Sequence, residues 1–259
     1  MISITQIMDK DDVECINTLI NTFSIEMKLG LGFCSSYKRI LNRAKGGAHS
    51  PALVDLTGLI NSLQMRNIDK IILHYLPSNY INFYDEICSL LEYDNIKNYI
   101  NIIFITGIWP NPCDIRKIKK RYGNIHIAVQ LPLYRMQDTS ISFICNKLLE
   151  YEEYIDYVSI DNSGGKGDEN DVNYSIKLIN YTKKYNELKW FIAGGVHGKN
   201  VGNIVRRVFL GTSECISIDA ESRLRCKGKL SLEKVTEYVL NANATYIDLY
   251  MRLNKNNFN

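Results

Sequence analysis

No two of the seven cysteines in this chain form a CxxC pair, and their number is odd: Cys15, Cys34, Cys88, Cys113, Cys145, Cys215 and Cys226 are scattered along the sequence. That spacing fits reduced thiols in a cytoplasm better than a disulfide framework. No apolar run reaches the length of a membrane span. The first residues, MISITQIMDKDD, turn acidic too early for a secretory signal. A surplus of charge is missing as well. The formal net charge is only +3, without the dense basic face that nucleic-acid binding requires. HExxH, Walker A and GxSxG patterns are absent, and His49, His74, His126 and His197 have no paired-ligand spacing. Neither a metal nor a cofactor is expected. Linkers, low-complexity tracts and internal repeats are also missing.

Short β-branched or apolar runs alternate with amphipathic segments. The runs lie at 2–8, 24–32, 70–76, 101–107, 125–131, 157–161, 190–195 and 215–220. The segments after them carry apolar residues at helical spacing, as in LEKVTEYVLNA near the C-terminus. Strands alternating with helices predict parallel pairing through crossover connections. Eight βα units in about 250 residues match a (β/α)8 TIM barrel, here one domain over 1–259. A doubly wound open sheet competes less well, because no glycine-rich nucleotide loop follows the first strand. The stretch 33–50, FCSSYKRILNRAKGGAHS, reads as an extended loop at the barrel mouth.

Chemistry concentrates at three strand ends. YVSID closes in Asp161, and Gly164, Gly165 and Gly167 follow at once. FIAGG closes in Gly194 and Gly195 and opens a helix. CISIDA is followed by Glu221 and Ser222, with Asp219 inside the strand and Ala220 at its end. Bare backbone and a helix N-terminus attract an anion, and barrel phosphates commonly sit after strands seven and eight. These glycines and the Ala220–Ser222 turn form an expected phosphate cup. Tight βα turns with capping acids would use the same residues.

In order and spacing, DYVSIDNSGGKG, WFIAGGVHGKNV and ISIDAESRLRCKGKLSLEKVTEYV resemble the C-terminal half of phosphoribosylanthranilate isomerase, from residue 155 onward. Before that point the likeness is one of βα rhythm. The resemblance implies a (β/α)8 barrel. It also implies an Amadori rearrangement, without metal or cofactor, of an aldose amine of phosphoribose into the ketose amine. Such chemistry needs an acid to open the furanose ring and a base to take the proton at C2 of the sugar. The phosphate serves as a handle that positions the reacting carbons. Asp161 matches the family's general acid, and Asp219 matches an Asp that contacts the substrate amine. Lys38 and Arg39 are candidates for the aglycone carboxylate, where the family has Ser-Pro-Arg.

The base departs from the family. Its first strand ends Lys-Ile-Cys-Gly, with the Cys as base. Set against QIMD, that pattern puts Met8 at the Cys and Gln6 at the Lys. A thioether cannot take a proton. Asp9 is a candidate replacement, and is equally placed to cap a helix starting near Asp12. Arg223 stands where the family has glycine near the phosphate.

Together these readings give an isomerase-like barrel acting on a phosphorylated sugar amine, as a monomer or homodimer, with no nucleic-acid or membrane partner. Two alternatives stay open. One is a barrel that keeps the phosphate site for a lyase or synthase reaction, and the other is a barrel without catalysis.

Overall fold

The computed structural model describes residues 1–132, 139–151, 153–161, 168–184 and 188–256. Eight parallel strands close into a barrel in sequence order: β1 (Ile2–Ile4), β2 (Leu29–Ser36), β3 (Ile68–Leu76), β4 (Ile102–Ile105), β5 (His126–Pro132), β6 (Tyr157–Asp161), β7 (Lys189–Ile192) and β8 (Ser217–Ala220). β1 pairs with β8, Ser3 opposite Asp219, which completes the closure. The expected fold is the observed one.

Around the barrel lie α1 (Lys10–Thr22), α2 (Tyr37–Leu41), α3 (Leu56–Asn61), α4 (Phe83–Glu92), α5 (Pro112–Arg121), α6 (Ile141–Leu149), α7 (Val172–Thr182), α8 (Gly198–Thr212) and α9 (Leu232–Asn256). Local chemistry explains several helix starts. Asp9, Asn111, Ser140 and Asp171 each accept a backbone N–H of the first turn, and Pro112 follows Asn111 at the first helical position. A short hairpin, β9 (Arg225–Cys226) with β10 (Lys229–Leu230), follows β8; the sequence reading did not foresee it. Among the described residues no helix is long and apolar enough to cross a membrane.

Parallel strands covered on both faces read as unbroken apolar runs. Inside the barrel Ile72, Ile102, Phe104, Ala128, Tyr157 and Phe191 pack together, with Met1 against them. A larger apolar shell fills the space between barrel and helices.

Two strands differ most from expectation. β2 was read at 24–32 but begins at Leu29 and ends at Ser36, and α2 follows in what was read as loop. Glycine misled that reading. Gly32 lies within the ladder because a Cβ there would stand 2.4 Å from Thr5 Oγ1. β1 was read at 2–8 but stops at Ile4, and Gln6 takes φ 72°, which ends the ladder.

Candidate active site

One cavity of about 790 Å³ opens at the C-terminal ends of the strands. Alternation along each strand chooses its lining. Cys34 and Ser36 come from β2, His74 and Leu76 from β3, Phe104 from β4, Gln130 from β5, Ser159 and Asp161 from β6, and Asp219 from β8. The loops add Lys38, Arg39 and His49 on one side. Gly194, Gly195, Ala220, Glu221, Ser222 and Arg223 stand on another.

Asp161 is buried at the end of β6, and Gln130 Nε2 donates to its Oδ2 at 2.9 Å. Asp219 is buried at the end of β8, where the Thr5 hydroxyl donates to Oδ1 at 2.7 Å. Glu221 follows at the mouth. Burial and the charges of Asp219 and Asp161 push its carboxyl up to about 7, against the pull of Arg225. His74, stacked on Phe104, is held below the usual imidazole value by burial, with Asp219 acting the other way. Burial, reinforced by Glu221 and Asp219, pushes the Cys34 thiol well up. At neutral pH the site therefore offers a neutral imidazole, a neutral thiol and three neighbouring carboxyl groups.

The end of β7 is shaped for close approach. Gly194 has φ 91° and Gly195 φ 60°. A Cβ on Gly195 would stand 2.7 Å from the Asp168 carbonyl oxygen. Asn170 Nδ2 donates to Ala193 O at 2.9 Å and to Ile160 O at 3.3 Å, fastening the ends of β6 and β7 together. His197 caps α8, and Asn200 closes the turn by accepting from His197 N and donating to Gly195 O. The N-terminus of α8 thus begins a few residues after the glycines, with its positive end available to an anion. Gly164, Gly165 and Gly167 lie outside the described residues.

On the opposite side, the loop after α2 folds toward the mouth. Gly47 N donates to Ser50 O at 2.8 Å, and Gln6 Nε2 lies 2.8 Å from His49 Nδ1. Arg39 donates to Lys45 O through one terminal nitrogen, while its Nε is buried without a partner among the described residues. Lys38 is exposed, with its ammonium 5.9 Å from the Tyr37 ring centroid.

The structure therefore brings Asp161, Asp219, Glu221, Ser222, Ala220, Gly194, Gly195, Lys38 and Arg39 to one cavity. It does not bring Asp9 there. The Asp9 side chain is exposed and accepts from Asp12 N at 3.0 Å, so it serves as the cap of α1. Met8, set against the family's Cys in the sequence reading, stands beyond the end of β1 at Ile4, where its backbone N–H donates to Asp12 Oδ2 at 3.0 Å; Thr5 is the residue that directly follows the strand, and Gln6 after it takes positive φ.

Sequence reasoning missed Thr5, Cys34, Gln130 and Ser159, and noted His74 only as a histidine without paired-ligand spacing. A signal for them existed. Cys34, His74, Gln130 and Ser159 are polar or sulfur-bearing residues in largely apolar strands, two positions from another such residue or from the strand end, and Thr5 directly follows β1. In a parallel barrel such a residue faces the interior near the mouth.

Residues 124–241 match the family model described as N-(5'phosphoribosyl)anthranilate (PRA) isomerase. The match includes Asp161, Gly194, Gly195, Asp219, Glu221 and Ser222, so the resemblance holds over the segment that carries them. It begins at residue 124, earlier than the 155 read from the motifs, and takes in β5 with Gln130. Among solved structures, phosphoribosyl anthranilate isomerase from Thermotoga maritima is 16% identical with a TM-score of 0.64, covering 94% of this chain and 98% of that one. TrpF from Jonesia denitrificans is 13% identical with a TM-score of 0.60, covering 95% of this chain and 97% of that one. A Rubisco-like protein from Rhodopseudomonas palustris is 10% identical with a TM-score of 0.56, covering 93% of this chain and 63% of that one. At such identities the likeness is one of fold. No curated protein matches the chain.

Proposed function

We propose that this barrel isomerises a phosphorylated ribosylamine from aldose to ketose, N-(5-phosphoribosyl)anthranilate being the substrate to try first. The observation that carries the reading is the placement of Asp161, at the end of β6, in the same cavity as the Gly194–Gly195 turn and the 220–222 turn. A phosphate held at those turns, and at the glycines 164, 165 and 167, anchors one end of the substrate. The ribose then spans the cavity toward Asp161, Asp219 and His74. At the far end Arg39, whose buried Nε has no partner among the described residues, and Lys38 supply cations for an aglycone carboxylate.

Asp161 is the acid of this proposal. It protonates the furanose ring oxygen, the C1–O bond breaks, and an open-chain iminium forms. Gln130 orients the carboxyl by donating to its Oδ2 at 2.9 Å. The whole chain acts as one barrel domain, in a compartment that keeps its seven free thiols reduced.

A second reading rests on the lack of a cysteine in β1 and in the turn that follows it. With no thiolate on β1, a barrel that has kept the phosphate end and turned to another reaction has the same outline. The test is turnover of N-(5-phosphoribosyl)anthranilate, followed by loss of its fluorescence. The isomerase reading expects wild-type turnover and a fall of about 10²–10⁴-fold in kcat for Asp161→Asn, with ribose 5-phosphate binding retained. An inactive wild type that still binds ribose 5-phosphate favours the second reading. Equal activity of Asp161→Asn and wild type removes the acid assignment.

A further inference from the structure

The isomerase reading lacks a base. Thr5, which directly follows β1, carries a hydroxyl, and a hydroxyl has no useful basicity at neutral pH. Asp9 caps α1 outside the cavity. The Cys34 thiol keeps its proton, being buried beside the charges of Glu221 and Asp219.

His74 has the required properties. Its ring lies flat against Phe104, with centroids 4.3 Å apart and planes at 23°, so its orientation is set by packing. Nε2 stands 3.2 Å from Thr5 Oγ1, and Thr5 Oγ1 donates to Asp219 Oδ1 at 2.7 Å. A hydroxyl has one proton, and here Asp219 receives it. Thr5 Oγ1 can then only accept from the ring, which puts the imidazole proton on Nε2. The lone pair is left on Nδ1, which has no hydrogen-bond partner among the described residues. Burial keeps the ring neutral and therefore able to take a proton. The chargeable groups around it are Asp219 through Thr5, Cys34 opposite it in the β2–β3 register, and Asp161 and Glu221 in the same cavity.

We propose that His74 Nδ1 is the base that takes the C2 proton of the ring-opened substrate, with Thr5 and Asp219 as the positioning residues that fix its tautomer. This assignment rests on the isomerase reading. In the step, the C2–H bond breaks and its electron pair forms the C1=C2 double bond. The iminium C1=N pair moves to nitrogen, and His74 becomes imidazolium. Asp219 balances that charge through the Thr5 hydroxyl. The enolamine then takes the same proton at C1 while its C2 hydroxyl loses one to the Asp161 carboxylate. The ketose amine leaves with both groups restored, and no oxidant or reductant is required.

The experiment measures kcat, KM and pH profile with N-(5-phosphoribosyl)anthranilate for wild type, His74→Ala, Thr5→Val and Thr5→Ser. His74→Ala is expected to lose about 10²–10⁴-fold in kcat, to keep ribose 5-phosphate affinity, and to regain turnover with added imidazole. Wild-type kcat/KM is expected to fall on the acid side as His74 protonates, at a pH below the ordinary imidazole value. Thr5→Val should shift that limb and lower kcat. Thr5→Ser, which keeps the hydroxyl, should recover most of the loss. A His74→Ala enzyme with wild-type kcat and pH profile overturns the base assignment and leaves the isomerase reading standing. Loss of turnover without imidazole rescue, together with lost ribose 5-phosphate binding, shows a structural role and also overturns it. An inactive wild type removes both.

Discussion

Glu221 keeps its proton up to about pH 7 because it is crowded by Asp219 and Asp161 in a partly dry cavity. From the sequence it is one more residue of a phosphate turn; its environment makes it a titrating one. Its folded value lies above the ordinary 4.5, so its contribution to stability is present in acid and lost as pH rises through about 7. The same rise places a negative charge beside the proposed phosphate. Glu221→Gln should therefore bind ribose 5-phosphate more tightly than wild type at pH 8 and about equally at pH 6. Calorimetric titration at both values checks this, with the affinity ratio growing roughly 3–10-fold between them. The gain in Tm of the Gln variant over wild type should grow as pH rises from about 4.5 and level off above about 7. A constant ratio would show that Glu221 does not face the anion.

Among the elements, the turn after β1 depends on a buried ion pair. Arg225 NH2 donates to Asp12 Oδ2 at 2.6 Å, with only 8% of the Arg225 side chain and 1% of the Asp12 side chain exposed. Asp12 also accepts from Met8 N and Leu230 N, each at 3.0 Å, and Arg225 NH1 donates to Gln6 O at 2.7 Å. These bonds tie the start of α1 and the residue at φ 72° to the β9–β10 hairpin. Removing one partner leaves a buried charge uncompensated. Asp12→Ala is expected to cost about 3–5 kcal/mol in urea unfolding. Because the same turn holds Thr5, the variant should also lose catalysis when it is folded at low temperature. Element identity was legible in the sequence, as in β6, read and found at 157–161. The ends of β1 and β2 were not. They depend on Gln6 taking a glycine-like φ and on Gly32 making room for Thr5, which are contacts between strands.

For the whole molecule, an anchored phosphate predicts a stability response that does not depend on the reaction. Ribose 5-phosphate at a hundred times its Kd should stabilise the protein by about 2.7 kcal/mol. In a chain of this size that raises Tm by roughly 5–10 °C. Ribose without phosphate should leave Tm unchanged in the same scan. Equal shifts with both sugars would mean that the Gly194–Gly195 turn and the 220–222 turn hold no phosphate.

The sequence by itself determined the eightfold alternation of strands and helices, the acid at the end of β6 and the glycine turn at the end of β7. Those are local facts, set by periodicity, backbone freedom and strand ends. It also carried the signal of polar residues within apolar strands, as in KIILHYL and IHIAVQL. Only the tertiary structure decided which of those residues meet. Closure of β1 against β8 lets Thr5 donate to Asp219, 214 residues along the chain, and puts His74 on the other side of the same hydroxyl. The protonation of that group follows from burial and neighbouring charge, which a linear sequence does not specify.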